Sequence, residues 1–367
     1  MTTTSRTDAV VVGLGGMGAA AAWRLARTGR SVVALEQFGP GHDRGSSHGA
    51  VRIFRVAYRD ARYTDLARRA LPLWRELEEE SGQVLLEQVG QLDHGDVAAV
   101  AEVAANLRTA GFAVEELSPA AAQERWPGLR FGEAVAYSPD GGRCFAERTV
   151  AAAVAAAERR GAEVHYGTPV DSVQVDGGTA RVRAGDCEWV TPLVVVAAGS
   201  WVEPLVGGTV ALPPVVVEAD QPSHFRPIDP SAAWPSFLHH SPEAAGPAGL
   251  GFAAYGLETP GTGIKVGGYG TVAPTDPDHR TPPDPARTAT LARYVEEWFP
   301  GLDPTPLDTT SCLFTSTPDE HFVLDRRGPL VVCSPCSGHG FKFVPAVGQV
   351  VVDLADGGVA DPAWRLP

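Results

Sequence analysis

No run of apolar residues in this chain reaches the ~20 that a membrane-spanning helix needs; runs such as PLVVVAAG at 192–199 are too short. Cysteine is scarce, with five residues at 144, 187, 312, 333 and 336 scattered through 367, which is not the dense even-numbered framework of a secreted disulfide scaffold. Basic charge is also short: 30 Lys and Arg stand against 44 Asp and Glu, and a net charge of -14 opposes binding to polyanions. Neither nucleic acid nor a membrane is an expected partner. The opening MTTTSRTD is polar and lacks the charged, apolar and cleavage regions of a secretory signal, so a cytoplasmic location is expected. There is no fixed-period repeat or Walker A sequence. The CSPC at 333–336 has no second CxxC or paired histidines beside it, so no metal is expected and its cysteines read as buried thiols.

What is present is an ordinary globular composition, 44% hydrophobic and 20% charged, in a chain long enough for two domains or one large composite unit that can bury a cofactor. From Asp8 to Phe38 the pattern is a short buried strand (Ala9 to Val12), a glycine turn, an alanine-rich helix and a second strand, SVVALE. Gly13, Gly15 and Gly18 make GxGxxG, in which the glycines permit a tight turn, close approach of a pyrophosphate and close helix-to-strand packing. Free N–H groups at the helix start receive the phosphate charge. Glu36, 18 residues after Gly18, ends the second strand where a carboxylate can accept hydrogen bonds from the ribose hydroxyls of an adenosine. This βαβ unit predicts a bound dinucleotide and leaves NAD and FAD both open, because they share the ADP half.

Downstream, the first half of residues 45–82 reads as loop-like, with Gly45, Ser46, Ser47, His48 and Gly49, and Arg52 and Arg55 stand ahead of a long amphipathic helix in the second half carrying Leu66, Ala70, Leu73, Trp74 and Leu77. TPLVVVAAGSW at 191–201 reads as a buried strand ending in small residues. Near the C-terminus, strand, turn and strand lead into the glycine loop SGHGFKF at 337–343, and a last helix starts near Pro345. His239 and His240, in FLHHSPE, read as loop histidines, more often solvated than pocket-lining.

With GLGGMG and Glu36, GSSHGAVRIFR, GIKVGGYG, and CLFTSTPDEHFVLD followed by SGHGFKF, the chain resembles the monomeric sarcosine oxidase family of covalent flavoproteins, within the D-amino-acid oxidase and glycine oxidase-like group. These pieces span nearly the whole chain. The resemblance implies FAD rather than NAD, tethered as a thioether through Cys312. It implies oxidation of a secondary amine, an N-methyl or cyclic amino acid, by hydride transfer to the flavin, giving an imine, with reoxidation by O2 giving hydrogen peroxide. Arg52 and Lys342 match the pair that holds the substrate carboxylate, a planar fork and a point charge. Arg55 matches a second arginine near the ring, and Lys265 matches the lysine that promotes reaction with oxygen. Where the best-known members carry a histidine four residues after that lysine, this chain has Tyr269, which puts sarcosine itself in doubt as the substrate.

The implied FAD contacts are Gly13, Gly15, Gly16, Met17, Gly18, Glu36, Gln37, Ser46, His48, Arg52, Ile53, Val170, Ala197, Gly199, Trp201, Cys312, Gly338, Gly340, Phe341 and Lys342. The expected architecture is α/β (α+β): an FAD-binding Rossmann-like domain from 1–85, 145–215 and 310–367, and an antiparallel-sheet substrate domain from 86–144 and 216–309, in a monomer. A flavin dehydrogenase using another acceptor, an NAD-dependent dehydrogenase and a non-catalytic flavin-binding subunit are the rival readings.

Overall fold

The computed structural model describes residues 3–241, 254–268 and 273–367. At its centre lies a six-stranded sheet in the order Glu163–His165, Val32–Leu35, Ala9–Val12, Val194–Val196, Leu330–Ser334, Val323–Arg327. Its strands are parallel except for the last. Such a sheet must be covered on both faces, and its valine-rich strands are buried throughout. Alternation decides which residue goes where. Ala9 and Val11 point into a core shared with the helices Gly16–Arg27, Ala146–Glu158 and Val344–Ala355, whereas Val10 and Val12 face Val173, Val182 and Trp189 of a second, four-stranded sheet. Each such valine, taken out of water, contributes about 1.5–3 kcal/mol before the chain entropy is counted.

The Gly16–Arg27 helix lies so close over the first strand that a Cβ at Gly18 would sit inside the Gly13 carbonyl oxygen. This is the packing task that the third glycine of the motif was expected to perform. The long helix Ala61–Ser81 is capped at its start by Asp60, whose side chain accepts from the Arg62 N–H, and ends at Gly82 with φ of 66°.

The second large sheet has eight strands, in the order Leu302–Thr309, Ser223–Pro227, Gly263–Gly268, Ala254–Thr259, Ser236–His240, Gln91–Gly95, Ala134–Ser138, Glu115–Leu117. It is antiparallel apart from one parallel pair, Ser236–His240 with Gln91–Gly95. One face carries Leu92, Phe225, Phe237 and Val266 into a core with the Pro285–Trp298 helix; the other carries Leu238, Leu257 and Lys265 to a large cavity. Two three-stranded sheets join the large ones: Val51–Phe54, Gly142–Phe145 and Leu86–Glu87, and Ala273–Pro274, Val216–Asp220 and Cys312–Ser316. Among the described residues no helix is long and apolar enough to cross a membrane.

Two local expectations are corrected. The stretch expected to be loop-like before the long helix contains the strand Val51–Phe54, because Val51 and Phe54 bury while Cys144 and Phe145 supply the partner ladder. His239 and His240 are neither on a loop nor solvated. They end the Ser236–His240 strand, with His239 stacked on His94 and bonded to the Tyr294 hydroxyl, and His240 paired with buried Asp93 at 2.7 Å. Strand pairing on both sides of this segment overrides the polar character of the dipeptide.

Candidate active site

A single cavity of about 1150 Å³ runs from the GxGxxG turn, across the junction of the two large sheets, to the SGHGFKF loop. It exceeds the usual several hundred cubic ångströms of a pocket for a drug-sized molecule, and suits an elongated dinucleotide together with a small second ligand. Every residue expected to contact the cofactor lines it except Gly18, which is spent on helix packing. Arg55 and Lys265 line it too; Tyr269 lies outside the described residues.

At the nucleotide end the polar groups already have partners. Glu36 accepts from the Leu14 N–H at 2.8 Å and the Phe38 N–H at 3.0 Å, and its carboxylate faces His42 at 3.6 Å. Burial works against its charge, but His42 and the two N–H groups outweigh that and hold the carboxyl below its ordinary range. The first amide of the glycine-turn helix, Gly16 N–H, donates to the Ser47 hydroxyl at 2.9 Å. Ser47 was not expected there, and the GSSHG stretch was its only sequence signal.

At the other end four cations converge: Arg52, Arg55, Lys265 and Lys342. None forms an ion pair with a carboxylate among the described residues. Arg52 donates to the carbonyls of Val51, Ser46 and His48, and Arg55 to that of Ala57, with its Nη2 buried and unpartnered beside the cavity. Arg55 stacks on the Tyr58 ring at 4.3 Å. Lys342 donates to the His339 carbonyl at 2.6 Å, and its own carbonyl is held by the Trp74 indole at 2.9 Å. Burial first, and then Arg55, push the Lys342 ammonium down to about 7. Lys265, in the middle of the eight-stranded sheet, is pushed down to about 8 by burial and then by Arg52. His48 falls to about 4 for the same two reasons, burial and Arg52, so it is a neutral ring whose Nε2 is buried without a partner at the cavity.

The glycine loop is held tightly. Gly338 has a φ of 72°, and a Cβ at Gly340 would run into the Pro335 carbonyl. Phe341 packs against Gly16 and so links the loop to the glycine turn, while Phe343 sits in the core among Tyr58, Tyr63 and Phe322. Cys312, a free and buried thiol, opens onto the same cavity. Cys333 and Cys336 are free as well, with both thiols raised by burial.

Residues 8–354 match the family model described as FAD dependent oxidoreductase. The chain belongs to that family. It is 34% identical to a monomeric sarcosine oxidase of Streptomyces avermitilis, over 95% of this chain and 93% of that protein, and 32% identical to the peroxisomal sarcosine oxidase of Homo sapiens, over 95% and 92%. Its fold is similar to that of NikD, an unusual amino acid oxidase essential for nikkomycin biosynthesis, with a TM-score of 0.84 and 27% identity over 99% and 98% of the two chains. The protein is thus an FAD-dependent oxidoreductase of the sarcosine oxidase kind, a flavin-dependent amine oxidase. The residues present fit that cofactor: a carboxylate at the ribose end, a helix start behind the glycine turn, and buried unpartnered nitrogens of His48 and Arg55 facing the cavity.

Two cavity residues escaped sequence reasoning. Tyr255 donates its hydroxyl to Asp220 at 2.6 Å, and Asp220 stands directly opposite Cys312 in the antiparallel ladder. Nothing in VVVEAD or AAYGLE marks them, because the pairing exists only once two distant strands meet at the cavity.

Proposed function

We propose that the protein oxidises the C–N bond of a secondary amino acid, N-methylated or cyclic, to an imine, with dioxygen as final acceptor and hydrogen peroxide as product. The observation that carries this reading is the set of four basic side chains, Arg55, Lys265 and Lys342 buried and Arg52 half-buried, without carboxylate partners among the described residues, in the same cavity as the glycine turn and Glu36. FAD, when bound, supplies the acceptor for the two electrons and the hydrogen removed from the carbon beside nitrogen.

The chain's own residues do the rest. Arg52 and Lys342 bind the substrate carboxylate, which offsets the cost of keeping a half-buried and a buried cation beside one cavity. With the carboxylate fixed, the amine nitrogen and its neighbouring carbon are held in one orientation. Arg55 keeps the local field positive where negative charge develops, and Lys265 places an ammonium where dioxygen first becomes an anion. Phe341 and the tight loop around Gly340 exclude water from that side. The Cys312 thiol, facing the cavity, is the attachment point for the cofactor.

We also take 1–85, 145–215 and 310–367 as the cofactor-binding unit and 86–144 with 216–309 as the substrate unit. In support, all strands of the six-stranded sheet fall in the first set, all strands of the eight-stranded sheet in the second, and the two small sheets mix both. The protein works as a cytoplasmic monomer in this reading.

The test is anaerobic mixing of the purified yellow protein with a panel of N-methyl and cyclic amino acids. One or more should bleach the flavin, air should restore it with formation of peroxide, and acid precipitation should leave the colour with the polypeptide. Flavin that no amino acid reduces would sink the reading, and pigment released on denaturation would sink the Cys312 attachment. Cys312→Ala should release it.

A further inference from the structure

We infer that Gln91 and Asp93, with His240 behind them, are positioning residues for Arg55: a buried chain of hydrogen bonds from the eight-stranded sheet holds the peptide next to that arginine and so aims its guanidinium at the cavity. The inference rests on the reading above, in which Arg55 keeps the reacting end positive, and extends it to three residues that do not line the cavity.

Gln91 and Asp93 stand two apart on the Gln91–Gly95 strand, so they share one face of the sheet. With His240 on the neighbouring strand, all three are at most 2% exposed. The Asp93 carboxylate meets the His240 ring at 2.7 Å through one oxygen and accepts from the Gln91 side-chain amide through the other. A carboxylate offers acceptors only, so it draws the NH2 group of Gln91 toward itself and turns the amide oxygen the opposite way. That oxygen accepts the Val56 N–H at 2.9 Å. With the amide reversed, two donors would face each other at Val56 and two acceptors at Asp93, and both buried bonds would be lost. Asp93 thus decides what Gln91 offers to the backbone.

Val56 directly follows Arg55, so the peptide held by Gln91 is the one that carries the arginine. The side chain of Arg55 folds back onto the same turn, where its Nε donates to the Ala57 carbonyl and its guanidinium stacks on the Tyr58 ring at 4.3 Å. Asn106, from the Val97–Ala110 helix, donates to the Tyr58 carbonyl at 3.0 Å. The turn at 55–58 is therefore pinned at two backbone points by side chains of the proposed substrate unit. With Nε and the ring face engaged, Nη2 of Arg55 is left buried and unpartnered beside the cavity. Gln91 has little room to shift, since a Cβ at Gly141 would lie 2.4 Å from its side chain.

The test uses the flavin-loaded protein and two readouts: the anaerobic rate of flavin reduction by an amino acid, and the affinity for acetate, read from the change in flavin absorption. Gln91→Glu sets two carboxylates side by side, which cannot both stay ionised at contact. It should lower the rate and the affinity by about tenfold each, the worth of one buried hydrogen bond, and less at low pH, where a shared proton restores the bond. Gln91→Glu combined with Asp93→Asn exchanges amide and carboxylate, rebuilds both bonds, and should return both readouts to within about twofold of wild type. In an Arg55→Met background Gln91→Glu should cost nothing further in either readout, because the pair acts through the arginine. A Gln91→Glu protein that loses melting temperature alone, or whose loss is as large without Arg55, would reduce the chain to core packing and overturn the inference by itself. An Arg55→Met protein unchanged in both readouts would overturn the reading of Arg55 and this inference with it.

Discussion

The two ends of the cavity handle charge in opposite ways. At the nucleotide end the chain satisfies its own polar groups: Glu36 holds two backbone N–H groups and faces His42, and Ser47 takes the Gly16 N–H. At the reacting end Arg52, Arg55 and Lys342 lie against carbonyls and an aromatic ring and Lys265 lines the same cavity, with no carboxylate of the described residues within ion-pair distance of any of them. The first arrangement is stable with or without a ligand. The second is an unbalanced field of mostly buried cations, each costly until an anion arrives. The difference matches the proposed roles, in which one end would hold the cofactor and the other an anion that comes and goes.

The sharpest way to break this comparison is to remove the cation argued to meet oxygen. Lys265→Met should slow reoxidation of the reduced enzyme by on the order of 10²–10³, the usual cost of losing one preorganised charge, with little change in anaerobic reduction by substrate. Stopped-flow measurement of the two half-reactions separates them, and an equal loss in both would show that Lys265 serves only the architecture. Next in size is Arg52→Ala, expected to weaken substrate and carboxylate-inhibitor binding by about 10- to 100-fold, from the ~1.5–3 kcal/mol of hydrogen bonds to a charged group. At the other end Glu36→Ala should leave carboxylate affinity alone and instead lower flavin content and melting temperature, since it strands the Leu14 and Phe38 N–H groups. Carboxylate affinity that dropped along with flavin content would mean the two ends are not separate in function.

What the sequence disclosed follows the same division. The glycine turn and Glu36 were legible because their chemistry is local: strand, turn, helix and acid come in one continuous stretch, and each glycine has a steric task that Gly18 visibly performs. Arg52, Lys265 and Lys342 stand on three separate elements, and on residue type alone a surface position was the ordinary reading of each. Resemblance to a family, not spacing, singled them out. The Tyr255 and Asp220 pair was invisible, and the two histidines at 239 and 240 were misread, for one reason. Their environments come from strand neighbours across the eight-stranded and small sheets, and no period in the local sequence records a partner far away in the chain. The strand at Val51–Phe54 was missed for the same cause.

The finest test of the two-ended picture is a titration. In the ligand-free protein burial and Arg55 bring Lys342 down to about 7, so above that pH it is neutral, and an arriving carboxylate must bring a proton with it. Affinity for an unreactive carboxylate should therefore fall by about tenfold per pH unit above 7, until the pKa of the lysine in the complex is reached. The groups facing Lys342 do not blur this window. Arg52 and Arg55 supply the neighbouring guanidinium groups, His339 is held neutral by burial, and Tyr58 and Cys144 are raised by burial, the thiol to about 12. Lys265, which lines the same cavity and is brought down to about 8, also titrates within it. Lys342→Met should bind more weakly at pH 7 but lose the slope between 7 and 8, whereas Lys265→Met should keep it. A slope unchanged in Lys342→Met would place the proton on another group and remove Lys342 from the anion site.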